Sequence, residues 1–132
     1  DAAKETTMID HIGLRVSDYQ RSKTFFQEAL APLGYTMMME FDTPQGKSGG
    51  MGIEGMPNFW LSQSKSQTSA VHIAFNAVNR ATVDAFYLAA MAAGGTDNGK
   101  PGLRPDYHKD YYGAFVLDPD GNNIEAVCHK AK

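Results

Sequence analysis

With 132 residues, 42% of them hydrophobic, the chain is long enough to bury one core and too short for two ordinary domains. A formal net charge of -3 argues against a polyanionic partner, because nucleic-acid binders carry a basic face. The lone cysteine, Cys128, cannot form an internal disulfide, and the longest apolar run, 87–93, is far short of the roughly 20 residues that span a bilayer. A soluble, cytoplasmic protein with neither nucleic-acid nor membrane partner is the expectation.

Residues 1–7 are polar and lack the basic-then-apolar order of a secretory signal; they are read as a disordered lead or an appended remnant ahead of Met8. Residues 9–16 alternate like a strand, with Ile12, Leu14 and Val16 on one face and His11, Gly13 and Arg15 on the other. Ser17 followed by Gln20 has the form of a capping box, and Tyr19, Phe26, Ala29, Leu30 and Leu33 recur at helical spacing until Pro32 and Gly34 end the helix. Strand-like runs follow at 35–41, 50–53 and 58–63, with 42–49 read as a loop.

The order then restarts. Residues 70–77 form a second strand with His72 off its apolar face, and Asn79 is placed to cap a helix striped by Val83, Phe86, Tyr87, Ala90 and Met91. Gly94 and Gly95 end that helix, 98–109 reads as a loop, and 111–117 and 123–129 read as strands. An offset of about 61 residues superimposes His11 on His72, Phe25 on Phe86, Ala29 on Ala90 and Gly34 on Gly95, so the chain is a duplicated unit. One α+β domain over 8–130 is expected, built from modules at about 8–65 and 69–130.

Asp118-Pro119-Asp120-Gly121 carries type I turn preferences. With Gly121 left-handed it becomes a three-residue hairpin with a bulge, which sets Asp118 opposite Asn122 and Phe115 opposite Glu125. Glu125 would then share a face with Tyr111, Gly113, Phe115 and Val127. Two histidines at equivalent points of a repeat, joined by a strand carboxylate, match a two-histidine, one-carboxylate metal site with open positions. Taken singly, each has an ordinary reading: a hydrogen-bonded structural histidine, or a solvated glutamate.

Three segments carry a family likeness: Asp10-His11-Ile12-Gly13-Leu14-Arg15-Val16, Val71-His72-Ile73-Ala74-Phe75, and Phe115-Val116-Leu117-Asp118-Pro119-Asp120-Gly121-Asn122-Asn123-Ile124-Glu125. Together they resemble the vicinal-oxygen-chelate superfamily, which includes glyoxalase I, fosfomycin-resistance proteins, bleomycin-binding proteins and extradiol dioxygenases. The resemblance implies two βαβββ modules in tandem, forming a curled mixed sheet around a cup that holds one divalent metal (Zn, Ni, Mn, Fe or Co). It places the ligands on His11, His72 and Glu125.

Matching Asn58-Phe59-Trp60-Leu61 to Asn123-Ile124-Glu125-Ala126 puts Trp60 where glyoxalase I has a fourth ligand, and an indole cannot serve as one. The three-ligand pattern of the fosfomycin-resistance and dioxygenase branches is intact. The implied function is metal-dependent chemistry, of glyoxalase-like lyase, isomerase or dioxygenase type, on a small substrate bound through two oxygens. The alternative is a non-catalytic binder of a small antibiotic-type ligand. Tyr111 and His108 are candidates for proton transfer and orientation; Arg15, Trp60 and Phe115 are candidates for substrate binding. The resemblance also implies a homodimer with modules paired across chains.

Overall fold

The computed structural model describes residues 9–65 and 70–132; the lead at 1–7 lies outside them. The first module runs β1 (Ile12–Val16), α1 (Tyr19–Leu30), β2 (Thr36–Thr43), β3 (Gly46–Ile53) and β4 (Met56–Gln63). The second repeats it as β5 (His72–Asn76), α2 (Arg80–Ala92), β6 (Thr96–Leu103), β7 (Tyr112–Leu117) and β8 (Asn123–Cys128). Each module is a four-stranded mixed sheet, ordered β1-β4-β3-β2 in the first and β5-β8-β7-β6 in the second, with only its first strand parallel to its neighbour. That parallel pairing follows from the helical crossover between the first strand and the rest.

The strand alternation is realised as read. Leu14 and Val16 of β1, and Ile73 and Phe75 of β5, are buried, while Gly13, Arg15, His72 and Ala74 are exposed. The helices cover the apolar faces and pack on each other, Phe25, Phe26 and Phe86 being fully buried. Edge-to-face ring pairs join the modules into one core, Phe26–Phe59 at 4.9 Å and Phe59–Phe75 at 5.4 Å between centroids. The opposite sheet faces stay open. No helix among the described residues is long and apolar enough to cross a membrane.

Three local expectations need correction. The cap of α1 is Asp18, whose carboxylate accepts from the Arg21 amide at 3.1 Å; Ser17 instead donates to Asp120 at 2.5 Å. The stretch 42–49 is a tight hairpin rather than a loop, with only Pro44 and Gln45 in the turn and the Thr43 hydroxyl donating to the Gly46 carbonyl at 2.7 Å. Its glycines are close-packing positions: a Cβ on Gly50 would meet the Trp60 ring at 2.7 Å. Likewise β6 runs through Gly99, Pro101 and Gly102, which sequence patterning assigned to a loop. As an edge strand with two register shifts, it tolerates a residue that cannot donate to the ladder.

The hairpin at 118–122 forms as expected. Gly121 is left-handed (φ 86°), its amide donates to the Asp118 carbonyl at 3.0 Å, and Phe115 pairs with Glu125. Asp118 accepts from the Asn122 amide and side chain, and Asn122 accepts from the Val71 amide at 3.0 Å. Asp120 reaches the other module, accepting from the Ser17 amide and hydroxyl and from Arg21. The turn therefore fastens the two modules together.

Candidate metal and substrate site

On the open face of the second sheet, Glu125 of β8 lies beside β5 and β7, paired in register with Ala74 and Phe115. It has no exposed surface. One carboxylate oxygen faces His72 Nε2 at 2.7 Å, and the other accepts a hydrogen bond from the Tyr111 hydroxyl. The His72 side chain is 54% exposed, so the pair is sealed from below and open above. Gly113 makes room for this arrangement, since a Cβ there would lie 3.3 Å from Glu125 Oε2 and 3.2 Å from the Tyr111 ring. Burial pushes the Tyr111 hydroxyl well above the ordinary tyrosine range, with the hydrogen bond to Glu125 and its charge adding to the effect.

Around this pair stands a rim of rings. His129 packs edge-on against Tyr111 at 5.2 Å between centroids, His108 against His129 at 5.6 Å, and Tyr107 against Tyr111 at 5.0 Å. The His108 ring thus meets the rim through His129, its carbonyl accepts from the Tyr111 amide at 3.2 Å, and its Nδ1 accepts from the Asp110 amide at 3.2 Å. The ring of Phe115 lies 6.2 Å from that of His72, and the Arg104 guanidinium covers it at 5.3 Å. Arg104 escaped the sequence reading because it was folded into the supposed loop at 98–109. The signal available was its flanking by Gly99 and Gly102, where a Cβ would meet the guanidinium at 3.3 and 3.1 Å.

His11 sits elsewhere. It precedes β1 on the open face of the first sheet, 61% exposed, with Nδ1 2.8 Å from Asp10. There it borders a cavity of about 440 Å³ together with Gly13, Phe41, Ser48, Trp60 and Ser62. Trp60 pairs with Gly13 just as Glu125 pairs with Ala74, so the indole occupies the position equivalent to the glutamate. Its ring lies over Gly50 and against Phe41 at 6.2 Å. Arg15 faces a second cavity two residues further along β1. Among the described residues of one chain, no three His, Cys, Asp or Glu side chains converge closely enough to hold a metal. His72, Glu125 and Tyr111 are brought together, and His11 with Trp60 and Arg15 forms a separate half.

Paired βαβββ modules with open sheet faces, one bearing a buried glutamate beneath a half-exposed histidine, define a fold of the glyoxalase type. The profile of the Glyoxalase/Bleomycin resistance protein/Dioxygenase superfamily matches residues 8–126, and the chain belongs to that superfamily. It is similar to the crystal structure of a glyoxalase/bleomycin resistance protein from Albidiferax ferrireducens T118, at 28% identity and a TM-score of 0.72, covering 92% of this chain and 98% of that one. A domain from Frankia sp. EAN1pec titled glyoxylase/bleomycin resistance protein/dioxygenase has the same fold at 14% identity and a TM-score of 0.74, covering 94% and 98%. Glyoxalase I from Zea mays matches at 20% identity and a TM-score of 0.69, with 94% of this chain covering 45% of that one. No curated protein matches the chain.

Proposed function

We propose that this protein is a divalent-metal-dependent enzyme acting on a small substrate that offers two oxygens to the metal. Its working form is a homodimer in which His72 and Glu125 of one chain and His11 of a second copy hold one ion. The observation that carries this reading is Glu125, a carboxylate without exposed surface whose oxygens, among the described residues, hydrogen-bond only with His72 and Tyr111. Burying such a charge costs several kcal/mol in real proteins unless a cation or hydrogen bonds offset it. A half-exposed imidazole over one oxygen and a fixed hydroxyl on the other suit a carboxylate prepared to ligate.

The donor set of imidazole nitrogens and a carboxylate oxygen fits Zn, Ni, Mn, Fe or Co. When bound, such an ion polarises substrate oxygens and orients them. Tyr111 holds Glu125 Oε2 and so directs Oε1 toward His72, which is the positioning role expected of a group behind a ligand. His108, linked through the His129 ring, is assigned to proton transfer at the rim. Phe115 and Trp60 form apolar walls, and Arg15 holds an anionic group of the substrate. Because Trp60 stands where a fourth ligand would, glutathione-dependent methylglyoxal isomerisation is expected to be negligible. The buried, unpaired Cys128 accords with a cytoplasmic location.

The dimer assignment is supported by the separation of the two half-sites within one chain and by the outer edges of β1 and β5, which pair with no strand among the described residues. Mixing the refolded variants His11→Ala and Glu125→Ala tests it. Each homodimer lacks every complete site, whereas random mixed dimers restore about a quarter of the wild-type sites if ligands are shared across chains. Metal bound per chain after dialysis is the readout. No recovery on mixing refutes the shared site, and full occupancy in His72→Ala refutes the ligand set. One observation favours a second reading, a non-catalytic small-ligand binder: the Trp60–Phe41 wall bounds a cavity that needs no metal. Ligand binding and no turnover, unaffected by chelation, would select it.

A further inference from the structure

The His72 ring meets Glu125 at 2.7 Å, so the height of β5 along β8 must be set to a fraction of a residue. Period-2 alternation excludes a one-residue slip, which would turn His72 to the covered face, but it permits a slip of two, or about 6.6 Å. The residue before His72 is held against such movement from both sides of its backbone. The Val71 amide donates to Asn122 Oδ1 at 3.0 Å, and the Val71 carbonyl accepts from the Asn123 amide at 2.8 Å. Asn122 is 2% exposed, and its Nδ2 donates to Asp118 Oδ2 at 2.9 Å. Asp118 is buried too, and its Oδ1 accepts from the amides of Asp120 at 3.0 Å and Asn122 at 2.8 Å. A carboxylate can only accept, so it draws the NH2 group of Asn122 and turns the carboxamide oxygen toward Val71.

The first module supplies the contrast. β1 pairs Ile12 with Phe59 as β5 pairs Ile73 with Ile124, so Pro57 stands where Asn122 does. A proline side chain has no acceptor to offer. There β1 begins at Ile12 and leaves His11 outside the strand, whereas β5 begins at His72 itself. The ring of His11 is met by its sequence neighbour Asp10, 2.8 Å away.

We infer that Asn122 is a positioning residue for His72. By bracketing Val71 it fixes β5 against β8 and with it the place of the imidazole over Glu125, while Asp118 orients Asn122 for the task. The inference rests on the functional reading above only in calling His72 and Glu125 metal ligands; the placement of the ring belongs to the metal-free chain.

The test begins on the metal-free full chain. It has 4 histidines, and the His72 ring signals in a ¹H–¹³C spectrum are assigned by their loss in His72→Ala. Asn122→Ala is expected to speed hydrogen exchange at the Val71 amide, to shift the His72 ring signals, and to weaken binding of Zn(II), the metal titrated, about tenfold or more. Asp120→Ala loosens the same turn by freeing Ser17 and Arg21, and should leave the ring signals and the zinc affinity as in wild type. The paired exchange Asp118→Asn with Asn122→Asp swaps donor and acceptor in the side-chain bond and keeps an oxygen toward the Val71 amide. It should restore signals and affinity alike. Asp118→Asn alone, which sets one carboxamide against another, is the milder variant; it should move the signals in the same direction and is read if Asn122→Ala does not fold. Unmoved ring signals in the single variants overturn the inference, as do equal shifts in Asp120→Ala or a folded paired exchange that fails to restore them. If the wild type binds no zinc, the ligand reading fails, while the ring signals and Val71 exchange still decide the positioning.

Discussion

Tyr111→Phe is the sharpest probe of the second sheet's site. The substitution keeps the ring, which packs on His129 and Tyr107, and deletes only the hydroxyl that donates to Glu125 Oε2. That oxygen lies against Gly113, which has no side chain to replace the lost donor. A hydrogen bond to a buried charged acceptor contributes about 1.5–3 kcal/mol, so metal-free protein should lose about that much unfolding free energy in urea at neutral pH. Metal affinity should fall about 10- to 100-fold, as when a ligand loses the group that orients it. Tyr112→Phe is the control, because its hydroxyl donates to the half-exposed Asp84 at 2.6 Å and its loss should cost under about 1 kcal/mol. Equal stabilities for Tyr111→Phe and wild type, with unchanged metal affinity, would refute the positioning argument.

Asp120→Ala removes three hydrogen bonds that tie the β7–β8 turn to Ser17 and Arg21, and should lower stability by about 1–3 kcal/mol, read as a shifted denaturation midpoint. An unchanged midpoint would mean that the turn does not fasten the modules. Gly50→Ala drives a methyl into the Trp60 ring and should cost about 1–3 kcal/mol while altering the emission of the only tryptophan; unaltered fluorescence would show that the ring is not held there. Burial, and after it the Glu40 hydrogen bond and charge, hold the Tyr19 hydroxyl above its ordinary range. Because the folded state keeps that proton longer than the unfolded chain, the associated stability is full below about pH 10 and is lost as pH rises further. A 295 nm titration of folded protein should therefore lag that of the urea-unfolded chain, and coincident curves would contradict the burial argument.

Much of this architecture is local and so can be read from residue order. Period-2 alternation at Ile12, Leu14 and Val16 sets which face of β1 is buried, and it leaves His11 and Arg15 on the other without any knowledge of the fold. The Asp118–Gly121 turn fixes the pairing of Phe115 with Glu125, because a left-handed glycine after a type I turn leaves one register for the hairpin. Repetition of the unit then transfers the same geometry to the first module, where Trp60 takes the place of the glutamate. Asn79 could be recognised as a cap because capping involves only residues a turn apart.

Non-local packing decided the rest. Gly46–Gly49 and Gly99–Gly102 look like loop by composition, yet they are strand, where Gly46, Gly49 and Gly99 each face a side chain brought from another element. Ser17 fits a capping box until Asp120, 103 residues away in sequence, claims its hydroxyl and leaves the cap to Asp18. The hairpin register already puts Tyr111 on the face of Glu125, but its hydrogen bond to that carboxylate and the place of Arg104 over Phe115 arise only when β6, β7 and β8 pair. Above all, alternation reports which face a histidine occupies and is silent on which other sheet that face meets. His11 and His72 are equivalent in the repeat, but their separation into two half-sites is a property of how whole modules stack, which only the tertiary structure determines.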